Sequence, residues 1–401
     1  MVTTTTYATD SRYRTYPGDG YDGVVRVSIG GYYATGTLLF DGRAVLTAAH
    51  LVEGRTGSAT VTFETRSGTQ TLNTSKTLIH SAYDKTQGNN DLALVWLTGT
   101  APTAANRYDI YRDSDEIGQP LTLVGYGRTG TGTTGATSSD TTAPIRLKAG
   151  NQFDADASTL KSHLGSAMAW TPLAGTQLVA DFDDGSSTHD ALGQLIYRTD
   201  TGRGLDEGLI AQGDSGGPAF ISGLLAGVAS YTASLSWGSV NPDIDTSTNS
   251  SFGEIAAWQR VSTYQQWIDQ SLRANYPNAP TTPEEVKKEV AEGNSGTSYA
   301  YFLLQFTGVR SDPNQILSVD YTTRNGTALA GSDYIAVGGT LNLYPDENQA
   351  VIPVEIIGDT APEPSETFYL DVFNPVGGSF GEGVVKLTAV RTVLDDDGWL
   401  G

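Results

Sequence analysis

The sequence predicts an all-β protein in two blocks. Three observations carry this. Short runs of β-favouring residues recur between turn signals, long helical periodicity is scarce, and the texture changes after a proline-rich stretch near residue 280. The runs of the first block are VVRVSI (24–29), TGTLLF (35–40), AVLTAA (44–49), ATVTF (59–63), LALVWL (92–97) and LTLVGYG (121–127). Many short strands with glycine-rich turns read as a barrel or a sandwich. One helix stands out, VSTYQQWIDQSLRANY (261–276). Its Val261, Tyr264, Ile268 and Leu272 follow the 3/4 spacing of one face, and Ser262 is placed to cap its start. PNAPTTPEE (277–285) cannot continue it, which marks a linker over 276–284.

The second block, 285–401, has strand candidates SYAYFLLQF (298–306), ILSVDYTT (316–323), GTLNLY (339–344), AVIPVEII (350–357), TFYLDVF (367–373) and GVVKLTAV (383–390). Six or seven strands in this span fit an immunoglobulin-sized sandwich. Of the 45 acids 18 lie after residue 275, against six of the 24 bases, so this smaller block is the more acidic.

A net charge of −21 argues against nucleic acid, whose phosphates need a basic face, and against an anionic membrane surface. No apolar run reaches the 18 or so residues of a membrane span. The chain has no cysteine, which excludes disulfides, thiolate metal sites and a cysteine nucleophile. MVTTTTYATD lacks the basic and apolar regions of a signal peptide.

Three segments of the first block carry chemistry: TAAH ending at His50, NDLAL around Asp91, and GDSGGP around Ser215. A serine hydroxyl needs a base of near-neutral pKa, which histidine supplies, and that base needs a carboxylate on its other nitrogen. The order His, Asp, Ser is one of the known triad orders. The glycines around Ser215 let the amides of Gly213 and Ser215 converge on one point as an oxyanion hole. Of the four histidines, His50, His80, His163 and His189, only His50 has such a motif; the others read as surface or core residues.

With these motifs the first block, about 20–275, resembles the trypsin/chymotrypsin-like serine proteases. GYG (125–127) and RVSTYQQWI (260–268) add to the match. The resemblance implies two six-stranded antiparallel β-barrels with a C-terminal helix, the triad His50, Asp91 and Ser215 between them, and no cofactor for catalysis. It also implies a new amino terminus pairing with Asp214. Alignment back from RVSI puts that terminus near 12–15, where Tyr13 or Thr15 would be an unusual end to bury, so an internal partner for Asp214 is expected. The specificity pocket is expected to involve Leu209, six residues before the nucleophile, with Ser230 and Thr232 in ASYTAS (229–234). Leucine gives a substrate ammonium no partner, and threonine narrows the slot, so cleavage after small or medium apolar residues is expected. Asp206 and Glu207 would restore a basic preference if their loop were shifted.

ADFDDGSSTHDALG (180–193) gathers Asp181, Asp183, Asp184 and Asp190. It has the look of a hard-cation loop but lacks EF-hand spacing and a closing glutamate, so a solvated acidic turn is the plainer reading. LSWGSVNPDIDTSTNSS (235–251) reads as a long surface loop beside the cleft.

SVDYTTRNGTALAGSDYIAVGGTLNLYPDE (318–347), VIPVEIIGDTAPEPSETFYLDVFNP (351–375) and VLDDDG (393–398), with VAEGNSGT (290–297), resemble a Calx-beta domain. That implies an immunoglobulin-like sandwich and, in some relatives, calcium held at one end. The matching acids are Glu292, Asp333, Asp359, Glu363, Glu366, Asp395, Asp396 and Asp397, whose other reading is hydrated strand ends.

The expected organisation is an extension over 1–19, a protease domain over 20–275, a linker over 276–284 and a Calx-beta domain over 285–401. The expected activity is a secreted serine endopeptidase acting on proteins or peptides, with further modules in a longer parent chain. An adhesion or binding protein on a vestigial protease scaffold is the alternative. A quality-control protease of the HtrA type is weaker, since those read GNSGG and carry a PDZ domain.

Overall fold

The computed structural model describes residues 2–137 and 144–397. The chain divides into two units, Met1–Leu39 with Arg43–Gln265 and Phe40–Gly42 with Gln266–Gly401.

In the first unit six strands close into a barrel in the order Val24–Ile29, Tyr32–Leu38, Ala44–Thr47, Ala93–Leu97, Gly68–Ile79 and Thr60–Thr65. Val25, Val27, Leu38, Val45, Val61, Phe63, Val95 and Leu97 fill it. AVLTAA does not stay extended: its strand stops at Thr47, and Ala49–Val52 turn into a short helix that carries His50. Gly68–Ile79 has no counterpart among the sequence-based strands, because its residues are mostly polar and exposed and give no apolar alternation.

The counterpart of the second expected barrel is a curled sheet of seven strands. Its order is Leu147–Gln152, Pro120–Gly125, Pro218–Ile221, Leu224–Ala233, Ile255–Arg260, Gln177–Asp181 and Ala155–Asp156. Asn151 links strands far apart in that order. Its buried amide nitrogen donates to the carbonyls of Asp181, at 2.8 Å, and Gly208, at 2.9 Å. Val2–Thr4 pair with Gly208–Ile210, so residues before 20 are built into this unit. Trp258, Phe153, Leu123 and Leu178 anchor its core.

The helix spans Val261–Arg273 and buries Val261, Tyr264, Ile268 and Leu272, the stripe read from the sequence. Ser262 is not its cap. The helix starts at Val261 directly off the strand, so Ser262 lies in the first turn and its hydroxyl donates to buried Glu116 at 2.5 Å.

The second unit holds a sandwich. Five strands run in the order Glu289–Ala291, Lys386–Leu394, Glu366–Val376, Leu317–Asn325 and Gly338–Leu343, and Thr297–Gln305 pairs with Gln349–Ile357. Between them Tyr334 stacks on Phe368, their rings 4.6 Å apart, among Ala300, Ile352, Val354 and Ile356.

Asn151 gives the first test. Replacing it by leucine strands two buried carbonyls, each costing about 1–3 kcal/mol. Asn151→Leu is expected to lower the denaturation midpoint of the first unit in urea and to leave that of the sandwich unchanged.

Candidate active site and acidic clusters

The geometry around His50 starts from a carboxylate almost removed from water. Asp91 is 3% exposed and follows Asn90, whose backbone is left-handed at φ 54°. Its Oδ1 accepts the backbone N–H of His50 at 2.8 Å. Its Oδ2 sits 2.7 Å from His50 Nδ1 and accepts the Ser230 hydroxyl at 2.6 Å. A carboxylate so placed keeps the proton of the imidazole on Nδ1 and leaves Nε2 as the basic nitrogen. Ser230 is therefore a partner of Asp91 as well as a wall residue. An isolated serine in ASYTAS carries no sequence signal of that bond.

The GDSGGP loop is seated against the segment that leads to His50. Gly216 has φ +80°, and a Cβ there would lie 2.1 Å from Thr47 Oγ1 and 2.4 Å from the Thr35 carbonyl. Only glycine allows that approach. The Thr35 amide donates to the Ser215 carbonyl at 3.0 Å, and the Thr35 hydroxyl donates to the Gly213 carbonyl at 2.9 Å. Ser215 itself is half-buried. Asp214 is fully enclosed; its Oδ1 accepts from Gly127 N and its Oδ2 from Ala211 N, both at 2.8 Å. Burial pushes its carboxyl up, and these two amides pull it back. Of residues 12–15, Tyr13 and Thr15 are buried.

Two cavities share a wall made of Ser230, Tyr231, Thr232 and Thr248. His50 and Asp91 line one, with Tyr83 and Trp170. Ser215 lines the other, of about 360 Å³, with Ile210, Ala211, Gln212 and Asn249. Leu209 is not part of that wall. It is fully buried in the core of the curled sheet, and its neighbour Ile210 faces the cavity. Ile210 belongs to the same core but, with Ala211 and Gln212, also borders the cavity. Asp206 is exposed and pairs with Arg12 at 3.2 Å, while Glu207 is buried and takes the Asp183 amide at 3.0 Å; neither lines the cavity. The loop over 235–251 does reach it, through Thr248, Asn249 and Ser250. Glu254 holds that loop: its Oε1 accepts from Asn249 N at 2.7 Å and Ser251 N at 3.0 Å.

The other histidines stand elsewhere. His80 lies edge-on to Tyr264, His163 contacts the Thr159 carbonyl, and His189 pairs with Asp184 at 2.6 Å.

In the sandwich the acids gather in two groups. Carboxylate oxygens of Glu292, Asp359 and Asp397 lie within 4.8 Å of one another, as do those of Asp333, Glu363 and Glu366. Two ligands at about 2.4 Å from one calcium are at most about 4.8 Å apart, a limit that no pair in either group exceeds. Glu292 Oε1 and Asp397 Oδ2 are buried and, among the described residues, lack a hydrogen-bond partner. Burial, reinforced by the neighbouring acids, pushes Glu292 and Glu366 up to about 7. Asp395 and Asp396 serve the backbone instead. Asp395 accepts from the amides of Glu363 and Asp397, and Asp396 from that of Gly293.

Residues 12–171 match the family model described as Trypsin, a span that takes in His50 and Asp91 and stops before Ser215. Residues 304–397 match the Calx-beta domain. The sodium/calcium exchanger Calx of Drosophila melanogaster is 37% identical over 91 residues, which are 22% of this chain and 9% of the exchanger. Sodium/calcium exchanger 2 of Homo sapiens is 37% identical over 108 residues, 24% of this chain and 12% of the exchanger. The matched region thus spans about a tenth of those relatives. Among solved structures, mouse neuropsin, a serine protease expressed in the limbic system of the brain, aligns over 65% of this chain and 98% of its own at 15% identity, with a TM-score of 0.46. The chain joins a trypsin-like serine protease domain to a Calx-beta domain.

Proposed function

We propose that the first unit hydrolyses peptide bonds as a serine endopeptidase, with protein or peptide substrates, outside the cell. The observation that supports this most is the Asp91 carboxylate spanning the backbone and ring of His50. In the proposed reaction Ser215 Oγ attacks the scissile carbonyl carbon while His50 Nε2 takes its proton. The carbonyl π pair moves onto oxygen, where the amides of Gly213 and Ser215 stabilise it, at about 3–4 kcal/mol for each donor. Collapse breaks the C–N bond, and the amine leaves with the proton from His50. Water then attacks the acyl-enzyme, again through His50, and frees Ser215. No cofactor enters these steps. The proposed domain division keeps the extension over 1–19, the protease over 20–275, the linker over 276–284 and the Calx-beta domain over 285–401.

The proposed preference is for small or medium apolar residues before the scissile bond. Ile210, Ala211 and Thr232 line the Ser215 cavity and offer a substrate ammonium no carboxylate. In the sandwich, calcium is proposed at Glu292, Asp359 and Asp397 and at Asp333, Glu363 and Glu366. There it would neutralise acids that folding crowds together.

A fluorophosphonate label tests the chemistry. Wild type is expected to label and Ser215→Ala not to. Asp91→Asn, which disturbs the tautomer, is expected to lower kcat about 10⁴-fold. Labelling that survives Ser215→Ala overturns the nucleophile, and an unlabelled wild type returns the chain to the adhesion reading. A peptide library cleaved mainly after arginine refutes the pocket.

Glu254 gives a pH test of the cavity wall. Burial pushes its carboxyl up to about 7, against the pull of the amides it accepts from. A folded pKa above the unfolded one favours the fold fully at acidic pH, and this contribution is lost as pH rises through about 7. Glu254→Gln keeps an oxygen for the amides and removes the charge. It is expected to raise the thermal midpoint of the first unit at pH 8 and to match wild type at pH 4.

For the sandwich, equilibrium dialysis of the full chain is expected to lose bound calcium on Glu292→Gln and Glu366→Gln. Unchanged stoichiometry in the double variant refutes these sites.

A further inference from the structure

Of the four acids of the insert over 180–193, Asp184 is exposed and the other three are not a solvated turn. Asp181 is 1% exposed, Asp183 4% and Asp190 2%. One oxygen from each lies within 4.8 Å of the other two. We propose that the first unit binds a calcium ion through Asp181, Asp183 and Asp190, a site separate from the acidic groups of the sandwich.

The hydrogen bonds of the cluster leave it short of positive charge. Asp181 Oδ2 accepts the Leu192 amide and Asp190 Oδ1 the Gly193 amide, both at 2.6 Å. Asp183 Oδ1 is buried and has no hydrogen-bond partner among the described residues. Burial, followed by repulsion from Asp181, Glu207, Asp190 and Asp154, drives the Asp183 carboxyl up to about 11. Like carboxylates sharing a dry site need either protons or a cation. The arrangement favours the cation, because three oxygens lie within 4.8 Å of one another and one of the three acids, Asp183, carries a buried oxygen with no partner among the described residues. Calcium fits better than magnesium, which keeps several of its waters and demands a tight octahedron that a buried trio of carboxylates does not provide.

The site has a mechanical consequence. Asp181 ends the strand Gln177–Asp181, and Glu207 stands just before Gly208–Ile210, the strand that runs into the Ser215 loop. The Asp183 amide donates to Glu207 Oε1, and the Arg203 amide donates to Glu207 Oε2. An ion on Asp183 therefore fixes both ends of the insert and the approach to the cavity wall at Ile210.

Calcium content and thermal unfolding of the full chain test the proposal, with Glu292→Gln and Glu366→Gln present to weaken the sandwich groups. This background is expected to retain one equivalent of calcium assignable to the first unit, and to lose it on adding Asp183→Asn. Calcium is expected to raise the midpoint of the first unit in the background and not in Asp183→Asn. Should Asp183→Asn fail to fold, Asp190→Asn replaces it, since its amide oxygen still accepts from Gly193. Equal calcium content and equal calcium-induced shifts with and without the aspartate substitution overturn the proposal. So does a first-unit midpoint indifferent to calcium in the background chain, which would leave protons as the neutralising partner.

Discussion

The pairing of Asp91 with His50 is the constraint on which the first unit depends. A carboxylate at 3% exposure is costly unless its lone pairs are filled, and three donors fill them: the His50 amide, the His50 ring and the Ser230 hydroxyl. The amide bond fixes where the short helix starts and the ring bond fixes which way the imidazole turns. The hydroxyl ties both to the strand Leu224–Ala233, which also walls the cavity. Asp91, His50 and the cavity wall are thus positioned through one carboxylate joining the closed barrel to the curled sheet.

The nucleophile loop answers to a different constraint, backbone proximity. Gly216 passes against Thr35 on the strand Tyr32–Leu38 and against Thr47 and Ala48, which lead into His50. Gly125 leaves the room that Asp214 Oδ1 occupies, where a Cβ would come within 2.0 Å. These glycines act by what they lack. The motif GDSGGP is therefore as much a packing statement as a chemical one, since a side chain at Gly216 would lift Ser215 away from the His50 segment.

Much of this was legible in the sequence where one residue type has few alternatives. The motifs around His50, Asp91 and Ser215 draw on a small set of residue types, and apolar alternation marked the buried strands. Legibility failed where the signal depends on facing. Gly68–Ile79 closes the barrel with mostly polar side chains, so its pairing leaves no hydrophobic trace. Leu209 and Ile210 are chemically alike and share one core, yet of the two Ile210 alone borders the cavity. Ser262 looked like a cap because its neighbour Glu116, 146 residues earlier, is invisible to local reading. Acids in a glycine- and serine-rich segment read as solvated, yet Asp181, Asp183 and Asp190 turn inward.

That last failure exposes a difference in how the protein handles buried acids. Asp91 and Asp214 are neutralised by donors that the fold aims at them, and such sites need nothing from solution. Asp181 accepts the Leu192 amide and Asp190 those of Gly193 and Asp200, while Asp183 leaves a buried oxygen unpartnered among the described residues. Folding this insert therefore requires positive charge from outside the chain, a proton or a cation. A proton lets one acid donate to one neighbouring carboxylate and so joins two of them at most. A calcium ion draws three acids together and cross-links the insert, in a chain with no cysteine to do so. The same logic applies to the sandwich, where Glu292 and Asp397 also leave buried oxygens unpartnered among the described residues. A net charge of −21 that looks like mere solubility thus contains, in both units, carboxylates whose burial makes sense only with a counter-charge.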